Sequence, residues 1–348
     1  MERIVEHWWQ ADDARRLDGL VASVQNLSEN QSYRSDLSLK NIRLFSNTAI
    51  MGLGASDYTG AEVIPPDRLT LNVVEAVVET AASFISSNAT KVRFITEGGT
   101  RKDRLRAEGL TKFLSGQFYT TKFNEKKVMT FLDAAVFGTG VLKVFDEGKD
   151  LYVERVIPDE WLVDDVEARY GEPRNAFHVK DVERSWAFRN YPEQKERIAT
   201  AAKIRDDVTY STGMSDPVSL IESWHLPSFD GAGDGKHVIG FNTCEVESGG
   251  WKELCFPIVK FDWCKRLLGW WGKGIPEQLR GIQIEINMLL QKIQRLMNLA
   301  SSKVFIQKGG RVNKAHMDNT EWGVVEYSGQ NAPVFATIKA VAPEYYAQ

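Results

Sequence analysis

The chain has 348 residues, a formal net charge of -4 and three cysteines, Cys244, Cys255 and Cys264. That length exceeds what one hydrophobic core usually organises and predicts roughly two or three substructures, while the slight acidity excludes a general drive toward nucleic acid of the histone or repressor kind. An odd, irregularly spaced cysteine set excludes a disulfide framework or zinc cluster and points to a reducing compartment.

In chain order, Met1 to Glu6 lacks the charge and apolar blocks of a signal peptide, and no apolar run approaches the roughly twenty residues of a membrane span, so a soluble product is expected. Met1 to Gln25 reads as a helix through Ile4, Trp8, Leu17, Leu20, Val21 and Val24. Asn26 to Asp36 is polar and reads as a connector. A second loop is expected from Gly52 to Gly60, followed by Pro65-Pro66. Leu71 to Ser86 places Val73, Val74, Val77, Val78, Ala81 and Ile85 at helical spacing, and its β-branched residues predict a buried helix. Thr100 can cap a helix reaching Tyr119, with Leu105, Leu110, Phe113 and Leu114 facing inward and Arg101, Lys102, Arg104 and Arg106 in water. A further helix runs from Asn124 to Phe137 on Val128, Phe131, Leu132, Ala135 and Val136. Gly138-Thr-Gly140 ends it, and Val141 to Phe145 alternates as a strand.

Strands are then expected at Leu151 to Ile157, Val218 to His225, His237 to Phe241 and Leu254 to Phe261, interrupted by one helix from Ser185 to Ala202. Near the end, Val304 to Ile306, Trp322 to Tyr327 and Val334 to Ile338 are strand-like, with a turn at Gly309-Gly310. The class is α+β, without internal repeats.

The strongest single pattern lies between Gly272 and Met297. Ile275, Leu279, Ile282, Ile286, Leu289, Ile293 and Leu296 recur at alternating steps of four and three, which makes one narrow apolar seam. Gly274 breaks the preceding segment, and Pro276 stands where a first-turn proline removes no hydrogen bond. Glu277, Arg280, Gln283, Asn287, Gln291, Gln294 and Arg295 occupy the other faces. Such a helix suits a place beside another helix, which points to assembly. An ordinary amphipathic helix packed on its own domain has the same pattern.

Chemistry-bearing clusters are few. Asp159, Glu160, Asp164, Asp165 and Glu167 could be drawn as a divalent-metal site, but they lack a histidine pair, EF-hand spacing and a lysine placed for transfer chemistry. A solvated turn gives the same composition. Gly52-Leu-Gly54, Gly98-Gly99 and Gly138-Thr-Gly140 complete neither a phosphate loop nor a dinucleotide fingerprint. His7, His178, His225, His237 and His316 are scattered, and no nucleophile elbow is present. Trp263, Trp270 and Trp271 could stack on bases, or anchor a core or interface.

The order of the segments carries a resemblance. Asp133-Ala-Ala-Val-Phe-Gly-Thr-Gly-Val-Leu-Lys-Val144, then Val156 to Arg174, then the helix ending at Asn190-Tyr-Pro192, then Gly272 to Met297, together resemble tailed-bacteriophage portal proteins, or head-to-tail connectors. The likeness covers about residues 70 to 310.

This resemblance implies a subunit without covalent chemistry or cofactor, in a dodecameric ring at one capsid vertex of the virion. The ring would be assembled in the host cytoplasm, without a membrane partner. Double-stranded DNA would pass through its axis during packaging and ejection, and capsid protein, terminase and tail adaptors would dock on it. It further implies an N-terminal helix and arm at the wing periphery (1–70), a wing of helices then strands (71–207), a β-rich clip region (208–263), a stem helix (264–302) and return strands with a tunnel loop (303–348). Pro343 to Gln348 reads as the first turn of the long helix that follows in that family. The stem would pack against its neighbours through Leu279, Ile282, Ile286, Leu289, Ile293 and Leu296. The compact basic segment near the expected tunnel loop makes Lys303, Lys308, Arg311 and Lys314 the candidates for the DNA channel, with a solvated turn as the alternative. Arg280, Lys292 and Arg295 nearly balance Glu277 and Glu285, which suits a conduit that does not hold DNA tightly. Two other classes compete: a metal-dependent nuclease or hydrolase using Asp159 to Glu167, and an oligomeric structural adaptor without a channel.

Overall fold

The computed structural model describes residues 7–47, 70–87, 90–148, 150–204, 216–300, 303–305, 311–312, 327–330 and 334–336. It is α+β, and every strand pairing among the described residues is antiparallel. The chain divides into two compact units, Met1–Glu62 with Asn72–Gly281, and Val63–Leu71 with Ile282–Gln348.

Two sheets organise the first unit. One has the order β2-β1-β8, from β1 (Thr139–Glu147), β2 (Asp150–Val156) and β8 (Ile258–Asp262). The other has the order β3-β4-β5-β6-β7, from β3 (Trp161–Val163), β4 (Asn175–Glu183), β5 (Pro217–His225), β6 (Lys236–Phe241) and β7 (Cys244–Gly250). The larger sheet joins strands from both sides of residue 208, because β4 pairs with β5 along nine residues, Asn175 opposite His225 through Glu183 opposite Pro217. Likewise β8 joins β1, with Thr139 opposite Asp262. A helix, α5 (Phe123–Phe137), covers the smaller sheet and is held to it by Arg155 on β2. That guanidinium donates twice to the buried Asp133 carboxylate at 2.6 Å.

Between the sheets, strand alternation places Val141 and Val156 against Trp161, Trp224 and Trp270 in one buried cluster. The same layer holds charge. Lys143 on β1 donates to Glu222 on β5, and His237 on β6 lies 3.1 Å from the other Glu222 oxygen. Burial pushes the Glu222 carboxyl up, but the His237 hydrogen bond and the Lys143 ammonium outweigh it and hold the group below its ordinary value. On the outer face of the large sheet Leu162, Phe177, Val179, Ile221 and Val238 pack beneath Trp8, Leu20 and Val24. Its far end is capped by Ala187, Ile198 and Ala201 against Val218 and Phe241.

The N-terminal helix begins later and runs further than expected. It is α1 (Asp13–Asn30), and after a break at Gln31 a second helix, α2 (Ser32–Phe45), follows, so the expected connector at Asn26 to Asp36 is helical except at Gln31. The polar residues that resemble a loop in sequence are used in tertiary bonds. Arg34 donates to the carbonyls of Pro158 (2.8 Å) and Trp161 (3.1 Å), Ser38 to Asp159 (2.9 Å), and the Gln31 amide to the Val163 carbonyl. These bonds tie α1 and α2 to a 3-10 turn at Pro158–Glu160 and to β3.

Next come α3 (Val73–Ser86) and α4 (Arg101–Thr120), whose boundaries agree with the sequence reading and whose burial does not. Only Val74, Val78 and Ala82 of α3 are buried, and Phe84 is 72 % exposed. On α4 the expected inward residues Leu105, Leu110 and Phe113 are exposed, and Ala107 alone is buried. The expected helix at Ser185 to Ala202 is two short ones, α6 (Arg184–Asn190) and α7 (Lys195–Ala199), separated by a 3-10 turn where Pro192 supplies no amide. The expected strand from Leu254 shortens to β8.

In the second unit, β9 (Lys303–Phe305) pairs with β12 (Val334–Ala336), and β10 (Arg311–Val312) with β11 (Tyr327–Ser328). The loop at Gly52 to Gly60, Pro65-Pro66, the Gly309-Gly310 turn, His316 and Pro343 to Gln348 lie outside the described residues. No helix among the described residues is long and apolar enough to cross a membrane.

Candidate assembly interface

The seam helix, α8 (Ile275–Ala300), is 26 residues, or about 39 Å at 1.5 Å per residue. Its root is fixed by backbone contact. A Cβ on Gly274 would sit 2.3 Å from the Val136 carbonyl oxygen, so only glycine lets the chain cross the end of α5 there. The Thr139 hydroxyl accepts from the Gly272 amide at 2.7 Å and donates to Asp262 at 2.8 Å. Arg266 donates to Glu277 in the first turn of α8 at 2.5 Å, favourable charge at a helix start.

Along this helix the seam changes environment. Ile275 is buried with Val74, Val78, Ala135 and Val136, and Leu279 packs partly on the same cluster. Beyond, Ile282 is 59 % exposed and Leu289 47 % exposed, while Ile286 and Ile293 are half-buried. The Leu296 backbone continues the helix. Beside the stripe the amides are occupied: Gln283, 3 % exposed, donates to the Leu71 carbonyl at 2.5 Å and to Asn287 at 3.1 Å, and Asn287 accepts from the Leu71 amide at 3.3 Å. The polar flank thus holds Leu71 of the chain itself, while Ile282 and Leu289 of the apolar stripe are left exposed.

A second set of uncovered apolar residues lies in the first unit, and sequence reasoning missed it by assigning Leu105 and Phe113 inward. Ile95 is 86 %, Phe113 63 % and Leu105 60 % exposed. The segment before α4 is tethered to it, the Phe94 amide donating to Thr111 at 3.2 Å.

Each carboxylate of the acidic turn has a local donor. Asp159 accepts from Ser38, Asp164 from the Val166 amide at 2.8 Å, Asp165 from the Tyr33 hydroxyl at 3.0 Å, and Glu167 from the Asn175 amide and side chain. Glu160 lies 3.6 Å from His178. Among the described residues no group of three or more histidine, cysteine or carboxylate side chains is arranged to hold a metal ion.

Trp270 is buried in the inter-sheet cluster, with the Lys260 ammonium 4.1 Å from its ring centre; burial pulls that lysine below its ordinary value, with Asp262 opposing. Trp271 lies under the Arg34 guanidinium at 3.8 Å, and Trp263 packs on the cluster at the root of α8. His225 stacks on Trp9 at 4.0 Å and bonds Asn175 at 2.8 Å. Burial, then the Arg174 charge, lowers its pKa to about 4 against the opposing pull of Asp234.

Of the DNA-channel candidates, Lys303 stands on β9 opposite Ala336, and Arg311 is exposed on β10. Lys308 and Lys314 lie outside the described residues.

No protein-family model matches the chain, and no curated protein matches it in sequence.

Proposed function

We propose that this chain is the subunit of a portal ring, a closed assembly of identical copies at one capsid vertex whose axial channel passes double-stranded DNA in packaging and ejection. The observation that carries the reading is the change along α8: Ile275 at its root is 6 % exposed, whereas Ile282, two turns on in the same stripe, is 59 % exposed. A rooted helix with an uncovered apolar stripe fits a ring, in which each copy must offer its neighbour a contact surface. The ordered segments from Asp133 to Met297 support the same assignment by resemblance.

In this reading the subunit performs no covalent step. Its work is geometric: α8 and its copies surround the axis, and the near balance of Glu277 and Glu285 with Arg280, Lys292 and Arg295 keeps the conduit from gripping a polyanion. Lys303 and Arg311, with Lys308 and Lys314, would supply the sparse phosphate contacts, and terminase, capsid protein and tail adaptors would dock on the ring. Sedimentation of the purified full chain tests the proposal. One closed high-order species is expected, unchanged over dilution; a monomer at every concentration would overturn it.

A further inference from the structure

We infer that neighbouring copies also join through the first unit, with the outward face of α4 of one copy seated in an acidic, tryptophan-lined cleft of the next. This rests on the portal reading, since a closed ring needs two different, complementary patches on each copy.

The cleft, of about 720 Å³, lies between α1 and the turn after β3, with Trp8, Trp9, Gln31, Asp164, Asp165 and Glu167 in its wall. No lysine or arginine lines it, and three carboxylates, Asp164, Asp165 and Glu167, do. Asp164 spends one oxygen on Val166 and Asp165 one on Tyr33, leaving each a second acceptor. Gln31 is an independent sign of a missing partner. It is 3 % exposed, its amide nitrogen is committed to Val163, and its Oε1 has no donor. A buried acceptor without a donor is unfavourable, and a donor brought to it relieves that. One wall is aromatic, with Trp9 stacked between His7 and His225 and Trp8 set edge-on to it. At the rim Val166 is 84 % exposed. The site is therefore built for a cationic side chain with N–H donors on an apolar carrier.

The outward face of α4 has that chemistry. Lys102, Leu105, Arg106, Gly109 and Phe113 fall on the side of the helix away from buried Ala107, at helical spacing. Neither Lys102 nor Arg106 is paired among the described residues. Gly109 leaves open space at the middle of this face, which allows close approach to another backbone. Arg106 would donate to the free oxygens of Asp164 and Asp165 in the neighbouring copy, Lys102 would meet the remaining negative charge, and Leu105 and Phe113 would cover Val166.

Charge reversal of the full-length chain tests this. Lys102→Glu with Arg106→Glu, and separately Asp164→Lys with Asp165→Lys, should each raise the concentration needed for rings on the order of 100-fold. Mixing the two variants in equal amounts should recover rings that neither forms alone, because each reversed patch then meets its complement. Rings from either variant at the wild-type concentration, or loss without recovery on mixing, would overturn the inference and leave the portal reading intact. A wild-type chain without rings removes both. If the cleft variant fails to fold, the α4 variant decides alone, since its changes lie on an exposed face.

Discussion

Gly138 and Gly272 meet backbone to backbone: a Cβ on Gly272 would lie 2.1 Å from the Gly138 carbonyl oxygen, and one on Gly138 would lie 2.6 Å from the Gly272 carbonyl carbon. Gly138 also holds φ +101°, a conformation side chains rarely adopt. This contact fixes the root of α8 within the first unit. Gly272→Ala should therefore cost about 3 kcal/mol or more of unfolding free energy, read from urea denaturation, because backbone cannot move aside as a flexible side chain does. Gly109→Ala, with nothing near its Cβ, is the control and should be neutral or slightly stabilising.

Trp270 separates anchoring from base stacking. Trp270→Ala removes an indole that is 5 % exposed and should lower stability by about 3–5 kcal/mol. Affinity for single-stranded oligonucleotides, measured by fluorescence anisotropy on the folded variant, should not change. A weakened oligonucleotide complex without a stability loss would return the residue to a nucleic-acid role.

His225 gives the first unit a pH response. Its folded pKa of about 4 lies below the ordinary 6.5, so the unfolded chain takes up this proton first. The contribution is complete above pH 6.5 and is lost as the pH falls toward 4. Denaturant midpoints should therefore drop between pH 7 and pH 4.5, and His225→Gln should flatten that drop.

The α8 stripe is tested by placing charge in it. Ile282→Asp, at a position 59 % exposed, should change subunit stability by less than about 0.5 kcal/mol yet prevent ring formation. Ile286→Asp, mid-stripe and half-buried, should do the same with a larger stability cost. Unchanged ring yield in both would remove the stripe from the interface.

The long helices were legible where they carry start and stop chemistry: Thr100 ahead of α4, Gly138 after α5 and Pro276 in the first turn of α8. What hid elsewhere was polar residues inside the structure. β4 reads Asn-Ala-Phe-His-Val-Lys-Asp-Val-Glu, yet it is a central strand, because its Lys180 meets Glu154 across the sheets while Phe177 and Val179 face α1. Gln31, Arg34 and Ser38 look like connector residues until Val163, Pro158, Trp161 and Asp159 are placed opposite them. Those pairings span more than 100 positions, beyond the reach of local periodicity. On α4 the spacing of Leu105 and Phe113 shows residues that call for cover; it does not say whether that cover comes from the same chain.

Electron microscopy of the purified chain shows whether its copies close into a ring. Annular particles of one size are expected, with a central hole that passes duplex DNA. Uniform solid particles, or isolated subunits at high concentration, would contradict it.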